Sequence, residues 1–98
     1  MSLPVIIRPE AEKDIAEASG WYEGQRAGLG NDFLLGVEEA RDCIGAMPRL
    51  YAIAHRGLRA CPIPRFPYIL YYRIRKKQLV VVAVVRGGRD PSVWKGRA

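Results

Sequence analysis

Arginine supplies most of the reactive chemistry in this 98-residue chain. Arg86-Gly87-Gly88-Arg89-Asp90-Pro91 directly follows a Val-rich run. Two glycines let the backbone turn sharply there. Two guanidinium groups then leave the turn close together and suit bidentate bonds to phosphate or carboxylate. The competing reading is a plain turn in which Arg89 pairs with Asp90. Tyr68, Tyr71 and Tyr72, next to Arg65 and Arg73, make a second pattern. Aromatic rings stack on unpaired bases, and arginine neutralises phosphate. Strand geometry divides that set: Tyr68, Leu70, Tyr72 and Ile74 share one face, while Ile69, Tyr71 and Arg73 share the other. The first set is the more apolar and is assigned to the core. Trp94 reads as a latch that folds back onto the domain, with direct ligand contact as the alternative. Trp21 reads as core or helix–helix packing.

Other chemistries lack their parts. The one histidine, His55, lies beside Arg56 and reads as a solvated loop residue, so no Ser/His/Asp set is available. Cys43 and Cys61 fall in no CxxC or CxxH spacing, which argues against a metal site. Glu38 and Glu39 are neighbours on a helix and cannot converge on a cleft as a catalytic pair. No glycine-rich phosphate loop is present. No cofactor is expected.

Charge is divided unevenly along the chain. Residues 1–50 hold five Lys/Arg and nine Asp/Glu, a net of −4, whereas residues 51–98 hold eleven Lys/Arg and only Asp90, a net of +10. A positive field with little inside it to neutralise it attracts polyanions or acidic protein surfaces. The length suits a single domain over residues 1–98. No apolar run approaches the ~18–20 residues of a membrane span. Met1–Pro9 lacks the layout of a signal peptide. A cytoplasmic protein with no membrane partner is expected.

The elements that must position these residues can be read from hydrophobic spacing. Pro4–Arg8 is a short β-branched run and predicts a first strand. A helix is predicted from Glu10 to about Gln25, with Glu10, Glu12 and Asp14 in its first turn where the helix dipole favours acids. Its stripe is Ala11, Ile15, Ala18 and Trp21 or Tyr22. Gly28–Leu29–Gly30 breaks it. A second helix is predicted from about Asn31, capped by Asn31 or Asp32, with a stripe of Phe33, Val37, Ala40, Ile44 and Met47. Strands are predicted at Gly57–Ile63, Pro67–Ile74 and Gln78–Val85, with Arg75, Lys76 and Lys77 turning between the last two. The result is an α+β fold of order β-α-α-β-β-β. A helical hairpin packs on one face of a mainly antiparallel four-stranded sheet. The other face and its loops are then expected to meet solvent and gather the basic residues.

An ordered set of short motifs carries a family resemblance. The first helix reads A-x-x-D-I-x-x-A-x-x-W-Y-E from Ala11 to Glu23, followed by G-L-G at Gly28–Gly30 and F-L at Phe33–Leu34. R-F-P-Y-x-x-x-Y then spans Arg65 to Tyr72, and V-x-x-x-R-D-P-x-x-W runs from Val85 through Arg89 to Trp94. In this order the chain resembles the RelE/ParE superfamily, toxins of bacterial type II toxin–antitoxin systems, and in particular its ParE-like branch. The resemblance covers nearly the whole chain and implies the same β-α-α-β-β-β fold.

It also implies a function. The chain would be the toxin of a type II (plasmid-stabilisation) system, held inactive in a hetero-oligomer by a cognate antitoxin with an acidic tail. RelE-like relatives cut messenger RNA on the ribosome, using basic residues on the middle strands, an arginine after the last strand and often a C-terminal Tyr or His. ParE-like relatives act on DNA gyrase and lack that set. Here Arg59 stands for one strand cation, but its alternate neighbour is Cys61. The following strand's arginine falls at Tyr68. Arg89 keeps the arginine after the last strand, Arg86 replaces the preceding His, and the terminal Tyr position is Trp94, whose indole cannot serve as acid or base. Gyrase inhibition by binding is therefore expected, through Arg59, Arg65, Arg73, Arg86, Arg89 and Trp94, which are also the expected antitoxin contacts. The alternative is a ribosome-dependent endoribonuclease acting on messenger RNA through Arg59, Arg86 and Arg89. A further alternative is an antitoxin-binding module without toxicity.

Overall fold

Pro9, with its fixed φ and missing N–H, opens the first helix at a position where no donor is needed, and the computed structural model, which describes residues 2–98, places α1 at Pro9–Gln25. Glu10 and Glu12 occupy its first turn. Ala11, Ala18 and Tyr22 are buried, so Tyr22 takes the stripe position. Trp21 is 53% exposed and only meets Tyr22 edge-on, ring centroids 5.1 Å apart, so the core role expected for it is not what the fold gives. One residue along a helix is a rotation of about 100°, enough to carry the indole off the buried stripe.

The second helix, α2 (Leu29–Ala46), starts two residues before the expected cap. Its N-cap is Gly28, at φ +90°, a conformation that favours glycine. Asn31 and Asp32 lie inside the helix, and the capping oxygens come instead from α1: Glu23 accepts the Gly28 and Gly30 N–H groups at 3.1 Å. The helices also approach closely here. A Cβ on Gly30 would sit 2.6 Å from the Ser19 carbonyl oxygen, so any side chain would push the hairpin apart. Phe33, Val37, Ala40 and Ile44 are buried as the stripe requires, but Met47 lies beyond the helix end and is exposed.

Five strands follow in space rather than four. β1 (Val5–Ile7), β2 (Ile53–His55), β3 (Leu58–Pro62), β4 (Tyr68–Arg75) and β5 (Gln78–Arg86) form one sheet in the order β1-β5-β4-β3-β2. The β1–β5 pairing is parallel and the other three are antiparallel. β2 was not expected from the sequence because Ala52, Ala54 and His55 around Ile53 give no two-residue alternation of polar and apolar residues. His55 thus ends a strand, edge-on to Trp94 at 6.2 Å between centroids, rather than lying in a loop. A last helical turn, α3 (Ser92–Lys95), completes the order.

The helices cover one sheet face through Leu70, Tyr72, Leu79, Val81 and Val84. Tyr22, Phe33, Phe66 and Tyr68 form an aromatic knot at one end, with centroids 4.8–5.9 Å apart. The Tyr72 hydroxyl donates to the Pro48 carbonyl at 2.7 Å, and burial pushes its pKa up to about 12. The register of β4 against β5 shifts between Tyr71 and Tyr72. Opposite that shift Val82 and Ala83 both join the cluster on the second face, the signature of a β-bulge.

The second face is not open to solvent, contrary to expectation. Leu58, Tyr71, Val80, Val82, Ala83 and Val85 form their own buried cluster beneath Trp94. A continuous Val run leaves no polar face, so both sides of β5 require cover. Arg73 stays on this face, half-buried, whereas Arg86 and Arg89 are exposed at and beyond the end of β5. Among the described residues no helix is long and apolar enough to cross a membrane.

Candidate functional site

The site begins where β1 stops. Arg8 N–H donates to the Val81 carbonyl at 3.0 Å, the last backbone bond β5 receives from that side. An uncovered strand edge with free N–H and C=O groups invites unwanted pairing. Here side chains serve it. Asp14, on α1, accepts the Val84 N–H at 3.0 Å, and Arg97 donates to the Val82 carbonyl at 3.1 Å. Arg97 also bonds both Asp14 oxygens, at 2.6 and 3.3 Å, in a partly buried fork. Asp14 is therefore a tertiary ligand of the bulge and not a first-turn dipole acid. The sequence does hold a signal for this. Asp14 lies three residues after Ala11 and four before Ala18, at the margin of the buried stripe, where a solvated carboxylate would be out of place.

Beyond this clamp the edge opens into a recess of about 180 Å³, lined on the α1 side by Asp14, Glu17, Ala18 and Trp21 and on the sheet side by Tyr68, Val84, Val85 and Arg89. Arg86 ends β5 opposite Tyr68 in register. Burial raises the Tyr22 pKa, the Tyr68 phenol adds to the rise, and the nearby Arg86 charge opposes both. Arg86 and Arg89 are exposed, and neither has an ion-pair partner among the described residues. Asp90 does not pair with Arg89. Its carboxylate accepts the Ser92 N–H at 3.0 Å, which holds its pKa below the ordinary range.

The remaining candidates are scattered. Arg59 donates to the carbonyls of Tyr51 at 2.7 Å and Arg49 at 3.4 Å, bracing the connection between α2 and β2. Arg65, at φ +68°, reaches the helical layer and pairs with Glu39 at 3.1 Å. Arg73 lies on β4, with its Nε buried and without a partner. Trp94 is 7% exposed and stacks on Tyr71 with centroids 3.9 Å apart and planes 11° from parallel. Lys95 Nζ lies 5.8 Å from the Trp94 ring centroid. The fold thus places Arg89 in the wall of the recess and Arg86 at the adjoining strand end, opposite Tyr68, and sends Arg59, Arg65, Arg73 and Trp94 elsewhere. Asp14, Arg97, Glu17 and Trp21 are the site residues that sequence reasoning did not assign to it.

A helical hairpin on a mixed sheet with a cationic, open-edged end defines a class of small two-layer proteins. The solved structure described as the chromosomal ParDE TA system from P. aeruginosa shares this fold, with a TM-score of 0.76 at 13% identity, covering 87% of this chain and 96% of that one. No curated protein sequence matches. The model for the ParE toxin of the type II toxin–antitoxin system parDE matches residues 5–91, and the chain belongs to that family.

Proposed function

We propose that this chain inhibits DNA gyrase by binding it and is neutralised by a cognate antitoxin whose acidic segment occupies the recess at the β5 edge. Arg86 and Arg89 make the first contacts with that segment, and Arg73 adds charge from the second face. Arg59, Arg65 and Trp94 act by holding the surface in shape. The complex works in the cytoplasm and maintains the replicon that encodes it. One observation carries this reading: Arg86 and Arg89 stand free, while the aromatic at the nuclease position, Trp94, is sealed flat on Tyr71 and has no hydroxyl to move a proton. Without a proton donor at that position, the cations serve binding in this reading.

The recess does place Glu17 and Tyr68 beside Arg89, which keeps the ribonuclease reading as the second. The recess, about 180 Å³ in volume, has room for a side chain of an added segment.

The test is growth inhibition on induction together with supercoiling by purified gyrase. The wild-type chain is expected to inhibit both, and Arg86→Ser/Arg89→Ser to weaken antitoxin binding at least about tenfold, with a shallower dependence on salt. Cut messages at the ribosome, abolished by Glu17→Gln, would establish the nuclease instead. Unimpaired growth with antitoxin still bound would leave a binding module without toxicity.

A further inference from the structure

Two hairpin turns lie side by side at the end of the sheet away from the recess. β4 runs from Tyr68, in the recess wall, to Arg75, which pairs with Gln78 and leaves Lys76 and Lys77 as the turn into β5. β3 runs the other way. Its Arg59 pairs with Tyr72 and its Leu58 with His55, so the Arg56-Gly57 turn comes up beside the Lys76-Lys77 turn. At about 4.8 Å between strands, the two tips stand roughly 10 Å apart. Backbone geometry alone would fill them differently, since tight hairpin turns favour Asn, Asp or Gly where φ is positive. Gly57 meets that rule at φ +81°, but Arg56 stands at +44° and Lys76 at +57°.

Nothing nearby neutralises these cations. From Cys43 to Arg89 the sequence contains no Asp or Glu. Among the described residues, none of Arg56, Arg73, Arg75, Lys76, Lys77 and Lys95 is in an ion pair. Arg73, two residues back from the turn, has its Nε buried without a partner. Burial lowers the His55 pKa, and the charges of Lys95 and Arg56 lower it further, so the positive field extends from the turns across the second face.

The surface offers charge and little else. Arg56, Gly57 and the four residues from Arg75 to Gln78 are exposed, and none of them is a large apolar residue. An acidic protein segment or a lipid surface would find no apolar contact to close on. Tyr71 and Trp94 are buried against each other, so neither ring is free to stack on an unpaired base. Double-stranded RNA is held partly through its 2′-hydroxyls, for which the turns offer only Gln78. Duplex DNA, with one negative charge per about 1.7 Å of axis, needs only cations. We propose that the two turns bind the phosphate backbone of duplex DNA, without base specificity, through Arg56, Arg75, Lys76 and Lys77, with Arg73 and Lys95 adding charge behind them. The recess lies at the other end of β4, so DNA and a protein partner can be held together, whatever that partner is.

Anisotropy of a short labelled DNA duplex, titrated with the full chain over a range of salt, tests this, and amide NMR shifts locate the contact. Saturable binding is expected, with log K falling against log salt at a slope of about −3.6, or roughly 0.9 for each of four neutralised phosphates. Shifts should gather over residues 55–58, 73–78 and 95. Lys76→Ser/Lys77→Ser is expected to weaken binding at least about tenfold and to flatten the slope by about 2. Lys13→Ser/Arg26→Ser removes two exposed cations from the helical layer and should change affinity by less than about twofold. Equal loss from the two double variants would overturn the proposal, because the net charge of +6 would then be acting as a whole. Shifts confined to residues 86–90 would overturn it too, as would failure to saturate. So would tighter binding of single-stranded DNA or duplex RNA, or equal binding of a poly-glutamate peptide or of phosphatidylserine vesicles.

Discussion

Within β5 two stretches of one strand are completed by different means. Leu79–Val81 lies between β1 and β4 and has backbone partners on both sides. Val82–Arg86 has β4 on one side only. Its other edge is met by the Asp14 carboxylate and the Arg97 guanidinium, and its second face lies beneath Trp94. A neighbouring strand uses every edge group and closes the surface. Two side chains use one carbonyl and one N–H and leave room for a recess beside them. The recess opens at the end where side chains stand in for a missing strand.

That contrast is broken most forcefully at Trp94. Trp94→Ala removes the cover over Tyr71 and is expected to cost about 3–4 kcal/mol, lowering Tm by on the order of 15 °C in a domain of this size. A loss near 1 kcal/mol in thermal unfolding would mean that the bulged half stands without the C-terminal turn. Next comes Asp14→Ala, which strips the Val84 N–H and leaves Arg97 without its anion. About 2–3 kcal/mol is expected. Hydrogen exchange should accelerate at Val84 while the Arg8 amide, paired within the other half, stays protected. Equal acceleration at both would merge the two halves into one unit. Asp14→Asn should be milder, since its amide oxygen still accepts the Val84 N–H.

The smallest effect concerns the tyrosines that straddle the register shift. Tyr72 faces Val81 and donates to Pro48, whereas Tyr71 faces Ala83. Tyr72→Phe should cost about 1 kcal/mol and Tyr71→Phe less. Burial also pushes Tyr51 up to about 12, so absorbance titration should find Tyr51 and Tyr72 ionising late. A folded pKa raised above the unfolded value of 10.0 contributes stability that is complete below that value and is lost between it and about pH 12. Tyr72→Phe should narrow that loss.

Much of this architecture is legible in periodicity. The stripes of α1 and α2, the division of Tyr68–Ile74 between two faces and the Val-rich last strand all follow from spacing, because spacing reflects burial. What spacing missed has a common cause. β2 is too short and too rich in alanine to alternate, and α3 is one turn with no period at all. Asp14 and Arg97 look like ordinary surface charges because their meaning is a contact between positions 83 residues apart. The recess was half legible: Arg86 and Arg89 announce themselves beside two glycines. Trp21 does not, because a tryptophan next to a buried tyrosine reads as core until the helix is rotated.

The bulge in β5 sets the phase of every residue after it. Val82 and Ala83 lie consecutively on the second face, which returns Val84 to the helical side and points Arg86 toward Tyr22. Were the same residues paired in plain alternation, the faces would exchange from that point on: Val84 would turn under Trp94, and Arg86 would leave for the opposite side of the molecule. Deletion of Val82, which has no partner on β4, would instead remove the bulge and leave Val84 and Arg86 on the sides they hold now. The bulge thus absorbs one extra residue without moving any charge.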